Sequence, residues 1–213
     1  MTRAFVLMTA MPPTKGHLDL IRFAVDLAGS VTVIVCTQPG EPYVSERVAA
    51  IEEATADDLR VRVAQHHETM PQETPGHEQF WDVWSDVLSS HGFAGGDYIV
   101  ASEPYGHTLA AHAGGIFVPY DLDRTLRWTK ATDVRGDARA HFDQMLPTFA
   151  RRFRRRVTFF GAESVGKTTM TRIFATRFQG VALFEWARPY LECVGPDVTV
   201  DKMHVIWRGQ HAL

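Results

Sequence analysis

Three short stretches of this 213-residue chain combine residue types that handle phosphate. Gly161-Ala162-Glu163-Ser164-Val165-Gly166-Lys167-Thr168-Thr169 has the Walker A spacing. Gly161 and Gly166 let backbone N–H groups converge on phosphate oxygens, Lys167 reaches the β/γ oxygens, and the Thr168 hydroxyl is placed to ligate Mg²⁺, with Thr169 beside it. Near the start, Met11-Pro12-Pro13-Thr14-Lys15-Gly16-His17 joins an apolar run to an amphipathic one. The prolines set a rigid turn, Gly16 allows close approach, Thr14 and Lys15 supply a hydroxyl and a mobile cation, and His17 falls on the first turn of a helix, where anions are favoured. Further on, Lys130-Ala131-Thr132-Asp133-Val134-Arg135 opens another helix, with Thr132 and Arg135 one turn apart and able to hold pyrophosphate oxygens.

The elements that must position these groups alternate. Phe5–Met8, Val31–Cys36, Arg60–Ala64, Tyr98–Ala101 and Ile116–Val118 read as strands, while Gly16–Ala28, Ser45–Ala54 (Ser45 as N-cap) and Glu78–Ser90 read as helices. The fold class expected is α/β, a doubly wound parallel (Rossmann-like) sheet that binds ligands at the carboxyl ends of its strands. The expected division is residues 1–140 as this domain, 141–156 as a linker or hinge helix, and 157–213 as an incomplete P-loop kinase-like segment with strands at Val157–Phe160 and Val181–Phe184, a helix around Trp186–Cys193 and a polar tail. The basic run Arg151–Arg156 reads as a solvated helix terminus, with phosphate contact as the rarer alternative.

Composition narrows the classes. A net charge of −3 gives no electrostatic case for nucleic acid or an anionic membrane. Cys36 and Cys193, the two cysteines, suit a reducing cytoplasm rather than a disulfide scaffold. No run of 18 apolar residues is present, and the first residues make a poor signal peptide. The ten histidines offer no metal-ligand spacing, so no metal site is expected from protein ligands.

Pro12-x-Thr14-x-Gly16-His17 resembles the (H/T)xGH signature of the nucleotidyltransferase superfamily, and Ala131–Arg135 resembles its late S-x-T-x-x-R signature. With a Walker A loop following them, the chain resembles the bifunctional NadR family, which joins a nicotinamide mononucleotide adenylyltransferase to a ribosylnicotinamide kinase. Ser45-Glu46-Arg47, Trp81-x-x-Trp84, Ala101-Ser102-Glu103-Pro104-Tyr105-Gly106, Asp123-Arg124-Thr125 and Glu185-Trp186-Ala187-Arg188 extend the resemblance collinearly. Thr14 stands where the family commonly has His, Lys130 where it has Ser, and Met8 where it has Gly after the first strand.

The resemblance implies transfer of the adenylyl group of ATP to nicotinamide mononucleotide, with Mg²⁺, giving NAD and pyrophosphate. His17 would donate to an α-phosphate oxygen; Lys15 and Arg135 would hold the β/γ-phosphates; Thr14, Gly16, Lys130 and Thr132 would line the ATP site; and Arg47, Ser102, Glu103 and one of Trp81 and Trp84 would face the mononucleotide. From residue type alone, core packing is the commoner fate of both tryptophans. Arg47, just inside a helix N-terminus, is poorly placed for the dipole, which hints at a ligand. Because 44 residues follow Thr169 and no second strand ending in Asp is found among them, the kinase half is expected to be truncated, inactive on ribosylnicotinamide, and prone to expose apolar surface that favours a homo-oligomer. Two rivals stay open: a nucleotide-sensing regulatory module without catalysis, and a P-loop kinase completed by a partner chain.

Overall fold

The computed structural model describes residues 2–71, 79–126 and 129–213, which form two compact units, Met1–Arg154 and Arg155–Leu213. In the first unit, five strands alternate with helices: β1 (Ala4–Met8), α1 (Lys15–Ala28), β2 (Val31–Thr37), α2 (Val44–Thr55), β3 (Val61–His67), α3 (Phe80–Ser90), β4 (Tyr98–Ala101), α4 (Tyr105–Ala113) and β5 (Ile116–Pro119). All pairings are parallel, in the order β3-β2-β1-β4-β5. Strand order therefore reverses between β1 and β4, where open α/β sheets place their ligands.

Both faces of this sheet are covered, and the strand sequences show why. Ala4, Val6 and Met8 of β1, with Val31, Val33 and Val35 of β2, pack on Ile21 and Val25 of α1 and Ile51 of α2. The alternate residues Phe5, Leu7, Ile34 and Cys36 pack on Leu88 of α3 and Leu109 of α4. A strand buried on both sides reads as a continuous apolar run. Gly29 ends α1 in the left-handed region at φ 77°, its N–H returning to Val25 O at 2.8 Å.

The remainder of this unit is α5 (Ala131–Gly136) and α6 (Pro147–Ala150), with 3₁₀ turns at Phe142–Gln144 and Arg151–Phe153. Val134, Met145, Phe149 and Ala150 close on Ala50 of α2. Much of the segment expected as a linker thus packs on the first unit. Arg151 and Arg152 pair with Glu53 and Glu46 of α2.

Other elements differ from expectation. Tyr43, in the left-handed region at φ 56°, caps α2, so Ser45 lies inside the helix. The α4 helix lies between two expected strands, where the sequence reading placed no element. Glu78, the expected start of α3, lies outside the described residues. His66 is largely buried against the His91 ring.

The second unit contains α7 (Lys167–Phe178), α8 (Ala187–Val194) and α9 (Val200–Ala212). The last replaces the expected polar tail; Thr199 caps it by accepting the Lys202 N–H. Residues 157–160 and 181–184, expected as strands, join no ladder, since two short apolar runs do not make a sheet that covers itself. No residue of this unit is buried, and Phe160 is 99% exposed. Among the described residues no helix is long and apolar enough to cross a membrane.

Candidate functional site

The first strand delivers the chain into the 9–14 loop, whose Met11–Pro12 peptide is cis. Pro13 O accepts the Leu146 N–H at 2.9 Å, and Thr14 bridges to Met145, which fixes the loop from below. Thr14 is buried and extended, and α1 begins at the next residue. Its backbone N–H donates to His17 Nδ1 at 3.0 Å, and its hydroxyl oxygen lies 2.8 Å from the same nitrogen. With Nδ1 accepting, the neutral imidazole carries its proton on Nε2. Burial draws the His17 pKa down, and the Arg124 guanidinium repels the protonated ring further, to about 4. His17 is therefore a neutral Nε2–H donor at pH 7, standing at the N-terminus of a 14-residue helix.

Among the described residues nothing demands a glycine at position 16. A Cβ there would meet only the Thr14 hydroxyl, at an ordinary 3.6 Å. The bare Cα leaves room for a group outside the chain. Lys15 is partly exposed and has no hydrogen-bond or ionic partner among the described residues.

Two later segments converge on this loop. Arg135 of α5 donates through Nη1 to Met11 O and through Nη2 to Thr132 Oγ1, the latter at 3.0 Å. The first and last expected signatures thus meet directly. Beyond β4, Arg124 donates to Ser102 O at 3.3 Å and to Glu103 Oε1 at 3.0 Å, while Lys130 Nζ lies 3.8 Å from that carboxylate oxygen. Glu103 thereby holds two cations at the carboxyl end of β4. The residue-level reading assigned Arg124 no role; its position beside His17 is a tertiary outcome that local spacing does not encode.

A second cluster lies at the carboxyl end of β2. Gln38-Pro39-Gly40-Glu41 forms a turn closed by the Glu41 N–H on Gln38 O at 3.2 Å, with proline second and Gly40 third at φ 85°, the type II arrangement. Glu41 Oε2 accepts the Gln38 N–H at 3.0 Å and Arg47 Nη2 at 2.5 Å. Partial burial works to raise the Glu41 carboxyl, but the Arg47 and Gln38 hydrogen bonds and the nearby charges outweigh it and hold it below its usual range. Arg47 is 0% exposed, and among the described residues its Nε and Nη1 have no partner. Burial, aided by the Glu41 charge, pushes the Cys36 thiol up to about 12, which removes it as a nucleophile.

The tryptophans are placed by packing. Trp84 donates its indole N–H to Pro71 O at 3.2 Å, and Trp81 stacks on His112 of α4 with ring centroids 6.1 Å apart. Among the described residues no group of three or more His, Cys, Asp or Glu could hold a metal ion.

Within the second unit, the 161–166 loop leads directly into α7. Gly166 caps that helix at φ 85°, and Ser164 is also left-handed, at φ 63°. Lys167 Nζ is held by Gly161 O at 3.0 Å and Ala162 O at 2.6 Å. The Thr168 and Thr169 positions fall on the first turn of α7, at the end of the helix where phosphate is favoured.

No family model matches the chain. A phosphopantetheine adenylyltransferase of Corynebacterium diphtheriae is 43% identical over 56 residues, which is 24% of this chain and 35% of that protein. Among solved structures, a NadR protein in complex with NR matches 99% of this chain at a TM-score of 0.60 and 20% identity, and one with NAD and AMP-PNP matches at 0.58 and 20%. The chain spans 62% and 64% of those two chains. A bifunctional NMN adenylyltransferase/ADP ribose pyrophosphatase from Francisella tularensis matches 84% of this chain and 55% of its own, with a TM-score of 0.52 and 15% identity. At these identities the likeness shows the fold, an α/β arrangement with a five-stranded parallel sheet.

Proposed function

We propose that the first unit transfers the adenylyl group of ATP to nicotinamide mononucleotide, releasing pyrophosphate and forming NAD. The observation that carries this reading is the fixed tautomer of His17: a neutral Nε2–H at a helix N-terminus, with Arg124 beside the ring and Arg135 bonded into the same loop. The Corynebacterium adenylyltransferase and the ligands named for the NadR structures support the same class of chemistry.

In this reaction a 5′-phosphate oxygen of the mononucleotide attacks the α-phosphorus of ATP. The bond from that phosphorus to the β-bridging oxygen breaks, and the electron pair leaves with pyrophosphate. The nucleophile is already ionised near neutrality, so the protein contributes position and charge rather than a base. His17 Nε2–H donates to an α-phosphate oxygen as negative charge builds there. Lys15, Arg124, Lys130 and Arg135 hold the β- and γ-phosphates and then the leaving group, with Thr14 and Thr132 adding hydroxyls. Arg47 meets the phosphate of the mononucleotide; Ser102 and Glu103 line its side of the site, and Trp81 or Trp84 lies against its ring. Magnesium enters as the MgATP complex, since ATP phosphates and water supply most of its ligands in such sites.

We further infer that the second unit binds nucleotide phosphates at Gly161–Thr169 and does not by itself phosphorylate ribosylnicotinamide. Its loop and helix are formed while the two apolar runs beside them are unpaired. The deciding experiment is pyrophosphate release by the purified chain with ATP and nicotinamide mononucleotide, run in parallel with the nicotinic acid analogue. Release no greater than that of the same protein without the mononucleotide would remove the proposal.

A further inference from the structure

Arg47 is placed where a cation is least stable. It sits on the first turn of α2, at the positive end of the helix dipole, with no exposure and with two guanidinium nitrogens unpartnered among the described residues. Stability alone does not account for such a residue, because an apolar side chain of similar volume fills the same space without unmet donors. Among the described residues the group that holds it is Glu41, presented by a turn whose shape depends on Pro39 and on Gly40 at φ 85°. The Glu41 carboxylate is itself fixed, since Oε2 also takes the Gln38 N–H and the Gln38 side chain in turn accepts the Met70 N–H at 3.2 Å.

We propose that Glu41 is the positioning residue of the acceptor subsite, holding the Arg47 guanidinium so that Nε–H and Nη1–H remain free for the phosphate monoester of the mononucleotide. This rests on the adenylyltransferase reading above. Glu41 does not touch the substrate; it acts through Arg47. The guanidinium is sealed from solvent, so phosphate contact requires its cover to part.

The test is calorimetric binding of nicotinamide mononucleotide and of ATP to the full chain. Glu41→Gln keeps an oxygen acceptor but removes the charge. It raises the Kd for the mononucleotide about ten-fold and leaves the Kd for ATP within about two-fold. In an Arg47→Ala background the same substitution adds nothing, because the partner through which Glu41 acts is gone. Equal losses for both ligands, or an effect that persists without Arg47, overturns the proposal. Should Glu41→Gln fail to fold, the wild-type chain still decides: the buried Arg47 Nε–H resonance moves at saturating mononucleotide and not with ATP. A resonance that stays put, or a wild-type chain that binds no mononucleotide, overturns the proposal. Coupled binding without pyrophosphate release retires the adenylyltransferase reading and leaves the subsite standing. Release without the coupling retires Glu41 alone.

Discussion

Replacing His17 with alanine separates catalysis from stability on one residue. The Nε2–H is a preorganised donor whose direction is set by the Thr14 N–H on Nδ1 at 3.0 Å. Loss of one such donor to a developing oxyanion costs about 10²–10³ in kcat, or about 3–4 kcal/mol of transition-state stabilisation. The same residue affects folding through its pKa of about 4, against an ordinary 6.5. Between these two pH values an unfolded chain takes up a proton that the folded protein refuses. The unfolded state then binds more protons, so His17 lowers stability as pH falls through 6.5 towards 4 and has no such effect above pH 7. The full shift corresponds to at most about 3 kcal/mol, less for a ring that is partly exposed. His17→Ala is therefore expected to lose kcat by about two to three decades in the pyrophosphate assay, while its urea midpoint falls less steeply than wild type from pH 6.5 to 4.5. A kcat within a few-fold of wild type refutes the catalytic role. An unchanged acid dependence refutes the depressed pKa.

Arg124→Leu removes the smaller of the two causes acting on His17, so the ring's pKa rises above about 4 yet stays below 6.5, because burial remains. A proton NMR titration of the imidazole reads this directly, and an unmoved pKa means the guanidinium is not beside the ring. Arg124→Leu also weakens ATP binding, measured by calorimetry, by about ten-fold if the side chain meets phosphate. Lys167→Ala is expected to reduce the ATP stoichiometry from two sites per chain to one; an unaltered stoichiometry would show that the second unit holds no nucleotide.

The sheet was legible because its strands are buried on both faces. Phe5–Met8 and Val31–Cys36 appear as unbroken apolar runs, and the 3.6-residue repeat of Leu18, Ile21 and Val25 marks α1. The Thr14–His17 spacing was legible too, since three residues inside a helix start bring the histidine back to its cap. The α4 helix was not, because it is short and begins with residues that otherwise mark turns and loops. The runs at 157–160 and 181–184 have strand composition, but pairing depends on neighbours that a local pattern does not supply. Arg124, quoted only within the resemblance, and Glu41 were given no role for one reason. Arg124 meets His17 across most of the unit, and Glu41 reaches Arg47 across a turn rather than at helical spacing. Only the odd dipole position of Arg47 hinted at the second pair.

The two acids of the site differ in exposure, and that difference separates their physical roles. Cations gathered around one site repel one another, and each solution here is local. His17 is discharged, Arg135 is satisfied by a carbonyl and a hydroxyl, and Lys15 is partly exposed to screening water. Glu103 lies between Arg124 and Lys130 with half its side chain in solvent. Pairs of that kind are worth about 0–1 kcal/mol, less than a bidentate contact from a phosphate to the same arginine, so under the proposed function the polyphosphate displaces the carboxylate. Glu41 stands differently. Its partner is wholly buried, and breaking such a pair by removing one member costs about 3–5 kcal/mol. A ligand cannot replace Glu41 on Arg47 without meeting that cost; it can only add to the donors Glu41 leaves free. The exposed acid at the end of β4 is thus exchangeable, and the acid on the β2 turn is fixed.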